Sequence, residues 1–188
     1  MTRKQITTTL HIVQNILSVD KKKIAKVEPC IQYRNSQILL GIMIIGYVLT
    51  ILIEHFFHII LDTPVRTNSL YLIITKPIIL YTTLWLGSWT TYKAKGVTHS
   101  NLPQKDIFSH SLYAYLPVWI VLIITTIIPW LYILWIFAPY GIYVLYHLIS
   151  AKKEHTRENA IRLTIATVLL YLCFYLGTSL LLRIIVLK

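Results

Sequence analysis

Acidic side chains are scarce: the chain holds 7 Asp and Glu against 18 Lys and Arg in 188 residues. Cysteine numbers two and glycine six. Each shortage excludes something. Charged residues make up 13%, about half the share of an ordinary soluble domain. Cys30 lies in a basic tail and Cys173 within a long apolar run, so neither a disulfide framework nor a metal cage is expected. The glycines are scattered, which leaves no phosphate-cradling loop. The first residues, MTRKQITTTLHIVQNILSVDKKK, lack an apolar core followed by a small-residue cleavage site. No removable signal peptide is expected, and the first apolar stretch should act as the uncleaved insertion signal. The net charge of +11 would suit nucleic acid. However, Lys and Arg cluster in alternate gaps between apolar stretches, which is how membrane topology is written. A nucleic-acid binder needs a continuous basic face, so no such partner is expected.

Apolar sequence dominates instead, at 56% of residues and a mean hydropathy of +0.64. Five stretches stand out, at roughly 37–61, 68–92, 108–128, 130–149 and 160–187. A hydrocarbon core ~30 Å thick needs about 20 apolar residues of helix. The expected fold is therefore all-α: a five-span transmembrane bundle over 37–188, preceded by a cytoplasmic tail over 1–36. The gaps leave little chain for a soluble catalytic domain.

In the tail, Ile6, Leu10, Val13 and Leu17 recur at helical spacing, widened by Ile12 and Ile16. This short amphipathic helix either lies in the headgroup plane or packs on the protein's own spans. Lys21, Lys22, Lys23 and Lys26 follow it and suit anionic lipid headgroups. Stretches three and four are separated by little more than Pro129. Read as one helix they are about twice a crossing, so a tight reversal at Pro129 is expected. Pro77 should kink the second span. Lys and Arg are rich in the tail, in the gap holding Lys93, Lys95 and Lys105, and in the gap holding Lys152, Lys153 and Arg157. They are poor in the other two gaps. This alternation puts the N-terminus in the cytoplasm and the C-terminus outside.

Charges inside a bilayer are functional candidates. Glu54 near the outer end of span one and Lys76 near the outer start of span two both fall about 10–12 Å from the connecting turn. They can meet at one depth, with Arg183 approaching from span five. Together with His58, these residues define an expected polar site in the outer half of the bundle. It is read either as a functional site or as a structural ion pair. His55 and His58 lack an evident third ligand, so no metal and no cofactor are expected. His110 and His147 should lie at similar depth if spans three and four form a hairpin. Gly41, Gly46, Gly141 and Gly177 should allow close helix approach. Tyr113, Tyr115, Tyr132, Tyr140, Tyr143 and Tyr146 form either a polar seam or a set of belt anchors. Residues 93–107 read as a polar loop, with Lys93, Lys95, His99 and Lys105 as its partner-contact side chains.

The order of these features resembles the Yip family (Ypt-interacting proteins) and its bacterial relatives. The likeness rests on the five-span plan and on the HSLYAYLP segment from His110 to Pro117, which looks like a Tyr-x-x-x-Pro entry to the third span. It also rests on the hairpin at Pro129 and on the aromatic run from Tyr140 to Leu148. The segment from Asn15 to Lys22 looks like the short helix that leads bacterial members into the bilayer. Eukaryotic members are linked to vesicle traffic and small GTPases, but their acidic N-terminal extension is missing here, and GTPase binding is not carried over. The resemblance supplies no catalytic residue. It implies a non-enzymatic role in membrane organisation, lipid binding or a larger membrane assembly. The expected location is a bacterial cytoplasmic membrane, the alternative a eukaryotic endomembrane. Expected partners are membrane lipids and a membrane protein or a second copy of the chain. The alternative function is a small transporter or channel that uses Glu54, Lys76 and the tyrosine seam.

Overall fold

The computed structural model describes residues 3–18, 20–60, 69–98, 101–152 and 156–186; within these, the side chains of 3–5, 57–60, 69–74, 76, 129 and 182–186 are not described. The chain forms α1 (Arg3–Leu17), α2 (Lys21–Val27), a 3₁₀ turn (Glu28–Cys30), α3 (Tyr33–Ile60), α4 (Ser69–Lys93) and α5 (Lys95–Thr98). It continues as α6 (Gln104–Ile127), a 3₁₀ segment (Pro129–Phe137), α7 (Tyr140–Ser150) and α8 (Arg157–Val186). No strand occurs among the described residues.

Four segments are long and apolar enough to cross a membrane among the described residues: Tyr33–Phe56, Gln104–Ile127, Trp130–Ser150 and Arg157–Leu181. The expected second span falls on α4, 25 residues long with Pro77 inside it, which is not one of the four. Hydroxyl groups on these helices are largely hidden against their own backbone. Thr50, Thr90, Thr91, Thr125, Thr164 and Thr167 each donate to the carbonyl four residues earlier, which satisfies a polar side chain where water is absent. The outward faces are apolar. Ile42, Ile45, Leu49, Leu52 and Phe56 line the exposed side of α3, and Ile161, Ile165, Leu169, Leu172, Leu176 and Leu180 that of α8. Such stripes are compatible with a membrane protein and unsuited to water.

The central element is α6, most of which is buried, whereas α8 is largely exposed. Contacts of Tyr33 with Phe108 and of Gly46 with Trp119 advance together along both helices, so α3 and α6 run parallel. The chain breaks at Ile128 (φ −125°, ψ 85°) and returns beside α6. Gly141 sits where an added Cβ would be 2.7 Å from the Ala114 carbonyl oxygen, and Lys152 pairs with Asp106. These two contacts make α6 and α7 antiparallel about Pro129, the reversal expected from the sequence.

Two expectations need correction, and one gains detail. The fourth stretch, read as one span over 130–149, is long and apolar enough to cross as Trp130–Ser150, and it is built as a 3₁₀ segment followed by an α-helix, with a non-helical turn at Leu131. Pro129 and Pro139 bracket the 3₁₀ segment, and neither can donate to an α-helical backbone bond. The loop read over 93–107 is mostly helical, since α5 occupies Lys95–Thr98 and α6 starts at Gln104. Thr98 and Leu102 are buried there. The boundary drawn between 36 and 37 cuts through α3, which begins at Tyr33; Asn35 and Ser36 are buried at its start, and their polarity masked the helix.

Candidate functional site

The buried core gathers at the end of the bundle where α6 begins and α7 ends, around Ile12, Ile16, Ile24, Leu112, Tyr113 and Leu148. Here the N-terminal segment is fastened to the α6–α7 hairpin. The α1 stripe divides: Ile12 and Ile16 are fully buried, while Ile6, Leu10 and Leu17 are exposed. One face therefore packs on the protein's own helices, α3 and α6 among them, and the other looks outward. Tyr140 donates its hydroxyl to the Ile16 carbonyl at 2.6 Å.

Beyond α2, Glu28 reaches two partners. His110 Nε2 lies 3.4 Å from Glu28 Oε1, and Lys152 Nζ lies 3.6 Å from the same oxygen while also pairing with Asp106. The His110 ring, chiefly, together with Lys152, holds the Glu28 carboxyl below its ordinary range against the opposing effect of burial. Burial alone would lower the Lys152 ammonium pKa; Asp106 and Glu28 outweigh it and raise it. The sequence reading placed His110 at a helix end but missed Glu28, because nothing in the spacing brings residue 28 beside residue 110.

The expected sites fare unevenly. Lys21, Lys22, Lys23 and Lys26 are all exposed, with Asp20 capping α2 through the Lys22 N–H at 2.9 Å. Lys93 and Lys95 sit over the rings of Trp89 and Tyr92 on their own segment. Lys105 sits over Tyr33 of α3. His99 lies outside the described residues. The side chains of His58, Lys76 and Arg183 do as well, so of the outer polar site only Glu54 is described. It lies within electrostatic range of Tyr47.

A cavity of about 470 Å³ lies between α3, α4, α6, α7 and α8, inside the usual range of ~300–1,000 Å³ for ligand sites. Along α6 its wall runs from Ser111 to Leu122, ~16 Å of helix. Every described side chain that lines it is uncharged. Of the expected tyrosine seam only Tyr115 lines it, joined by Tyr47, Tyr171 and Tyr175. Tyr113 is fully buried and Tyr132 is mostly exposed, while Tyr143 and Tyr146 flank the His147 ring. Of the four expected glycine contacts, Gly46 against Trp119 and Gly141 against Ala114 are close, whereas Gly41 and Gly177 have nothing within 4 Å. Gly87, which the sequence reading passed over, is the tightest: a Cβ there would fall 2.0 Å from the Tyr171 ring.

Several polar atoms of the cavity wall are unsatisfied. Thr83 Oγ1, Ser111 Oγ, the Tyr171 hydroxyl and Trp135 Nε1 are buried without a hydrogen-bond partner. The Tyr171 hydroxyl faces that of Ser111 without completing normal geometry. Thr83 is one turn from Gly87, on the helix face that carries the Tyr171 ring. Unlike the other threonines described above, it makes no bond back to its own helix.

Comparison with family models, with curated proteins and with solved structures gives no match for this chain.

Proposed function

We propose that this chain is a five-crossing, Yip-like integral membrane protein that binds lipid within its bundle and performs no covalent chemistry. In this reading α4 is the fifth crossing. The alternation of Lys and Arg supports an orientation with α1, α2 and Lys152 on the cytoplasmic side, and the membrane in this reading is a bacterial inner membrane. The exposed face of α1 and the lysines of α2 then rest on the anionic leaflet. The observation that carries the proposal is the cavity between the helices. Its described lining offers rings and hydroxyls but no carboxylate, imidazole or thiol to serve as base or nucleophile. In a bilayer such a cavity fills with lipid in preference to standing empty.

The test is native mass spectrometry after extraction in a gentle detergent. About one lipid per chain should remain bound, and Val168→Trp, which puts a bulky ring into the cavity from α8, should weaken its retention. Uniform loss of lipid from both proteins would overturn the reading. Substrate flux in liposomes with no retained lipid would favour the transporter alternative.

A further inference from the structure

Resting on the reading of the cavity as a lipid site, we infer that its occupant is a neutral amphipath whose oxygen-bearing end is held by Thr83, Ser111 and Tyr171. Three observations converge. First, the described lining is uncharged. A phosphate headgroup there would be stripped of water with no cation among the described lining side chains to compensate it, a penalty that membrane interiors avoid. Second, Thr83 and Ser111 both line the cavity and are each more than nine-tenths buried, with hydroxyls that make no hydrogen bond. A buried hydroxyl left unmade is unfavourable, and threonines elsewhere in these helices avoid it by bonding to their own backbone. Third, Gly87 makes room for the Tyr171 ring, whose hydroxyl lies toward that of Ser111 while both stay without a hydrogen bond. Three groups that both donate and accept thus line one largely apolar space, whose wall also carries Tyr47, Tyr115 and Trp135. A hydroxyl or carbonyl oxygen on a long apolar body satisfies them without burying an uncompensated charge.

The test uses the full chain in detergent, stripped of retained lipid, and follows thermal stabilisation by three probes: oleyl alcohol, methyl oleate and phosphatidylglycerol. The two neutral probes distinguish a hydroxyl end from a carbonyl end. At least one of them should stabilise the wild type saturably, and phosphatidylglycerol should not compete. Thr83→Val, Ser111→Ala and Tyr171→Phe should each weaken that binding about tenfold. In the stripped protein Thr83→Val and Ser111→Ala should melt no lower than wild type, because an unpaired buried hydroxyl has been replaced by an apolar group. Binding weakened by Val168→Trp but unchanged in the three hydroxyl variants would overturn the inference and leave the lipid site standing. Preference for phosphatidylglycerol would overturn it as well. Binding of none of the probes would remove the lipid site and the inference together.

Discussion

Nε2 of His110, a residue only 2% exposed on α6, lies 3.4 Å from Oε1 of Glu28 in the segment that precedes the first long helix. That contact, with Lys152 behind it, fastens the N-terminal segment to the α6–α7 hairpin. Glu28 is 12% exposed at its side chain. Removing its charge takes away the carboxylate beside the buried His110 ring, whose nitrogens make no other hydrogen bond, and leaves Lys152 with Asp106 alone. Glu28→Gln should therefore lose ~1–3 kcal/mol of stability, read as a lower melting temperature in detergent. The Glu158–Arg162 pair on α8 is largely exposed, and Glu158→Gln should change melting by ~0.5 kcal/mol or less.

The same cluster sets the pH dependence. Glu28 titrates below its ordinary 4.5, so its stabilisation is whole above pH 4.5 and is lost as pH falls through the lowered value. Lys152 titrates above its ordinary 10.5, so its stabilisation is whole below pH 10.5 and is lost as pH rises through the raised value. Wild-type melting temperature should fall on acidification below about pH 4.5, and Glu28→Gln should flatten that limb. An unchanged acid limb in the variant would show that other carboxylates govern it.

Glycine positions make a graded series. At Gly141 a Cβ meets a backbone carbonyl, which cannot rotate away, and at Gly87 it meets an aromatic ring at 2.0 Å. Gly141→Ala and Gly87→Ala should each destabilise by ~1–3 kcal/mol. Gly41→Ala and Gly177→Ala meet nothing within 4 Å and should be neutral or stabilising by up to ~1 kcal/mol through helix propensity. Thermal melts of the four single variants in one detergent check the series.

Tyr140 joins α7 to the end of α1 through the Ile16 carbonyl. Tyr140→Phe should cost ~0.5–1.5 kcal/mol and raise amide exchange in α1 more than in α6. Equal exchange in both helices would mean that α1 is held by Ile12 and Ile16 alone.

Long apolar runs made most of this fold legible, because a chain of Ile, Leu and Val that must hide its backbone from lipid can only form helix. Pro129 between two such runs announced the reversal. The 3₁₀ segment was not legible, since Trp130–Phe137 is as apolar as any α-helix and only backbone geometry tells them apart. The start of α3 was hidden by Arg34, Asn35 and Ser36, polar residues that tertiary contacts bury or accommodate. The site was less legible still. Single tyrosines and threonines in a span carry no spacing rule, and Gly87, Thr83, Ser111 and Tyr171 come from three helices. The Glu28–His110 contact joins residues far apart in the sequence, and no local pattern reports it.

The most direct test of the architecture is cysteine labelling in sealed vesicles with an impermeant maleimide, in a Cys173→Ala background. Five crossings with a reversal at Pro129 predict that the exposed Cys30, Asn101→Cys and Arg157→Cys label from one side. Ile128→Cys and a cysteine appended after Lys188 should label only from the other. Labelling of position 128 or of the appended cysteine from the Cys30 side would contradict the account.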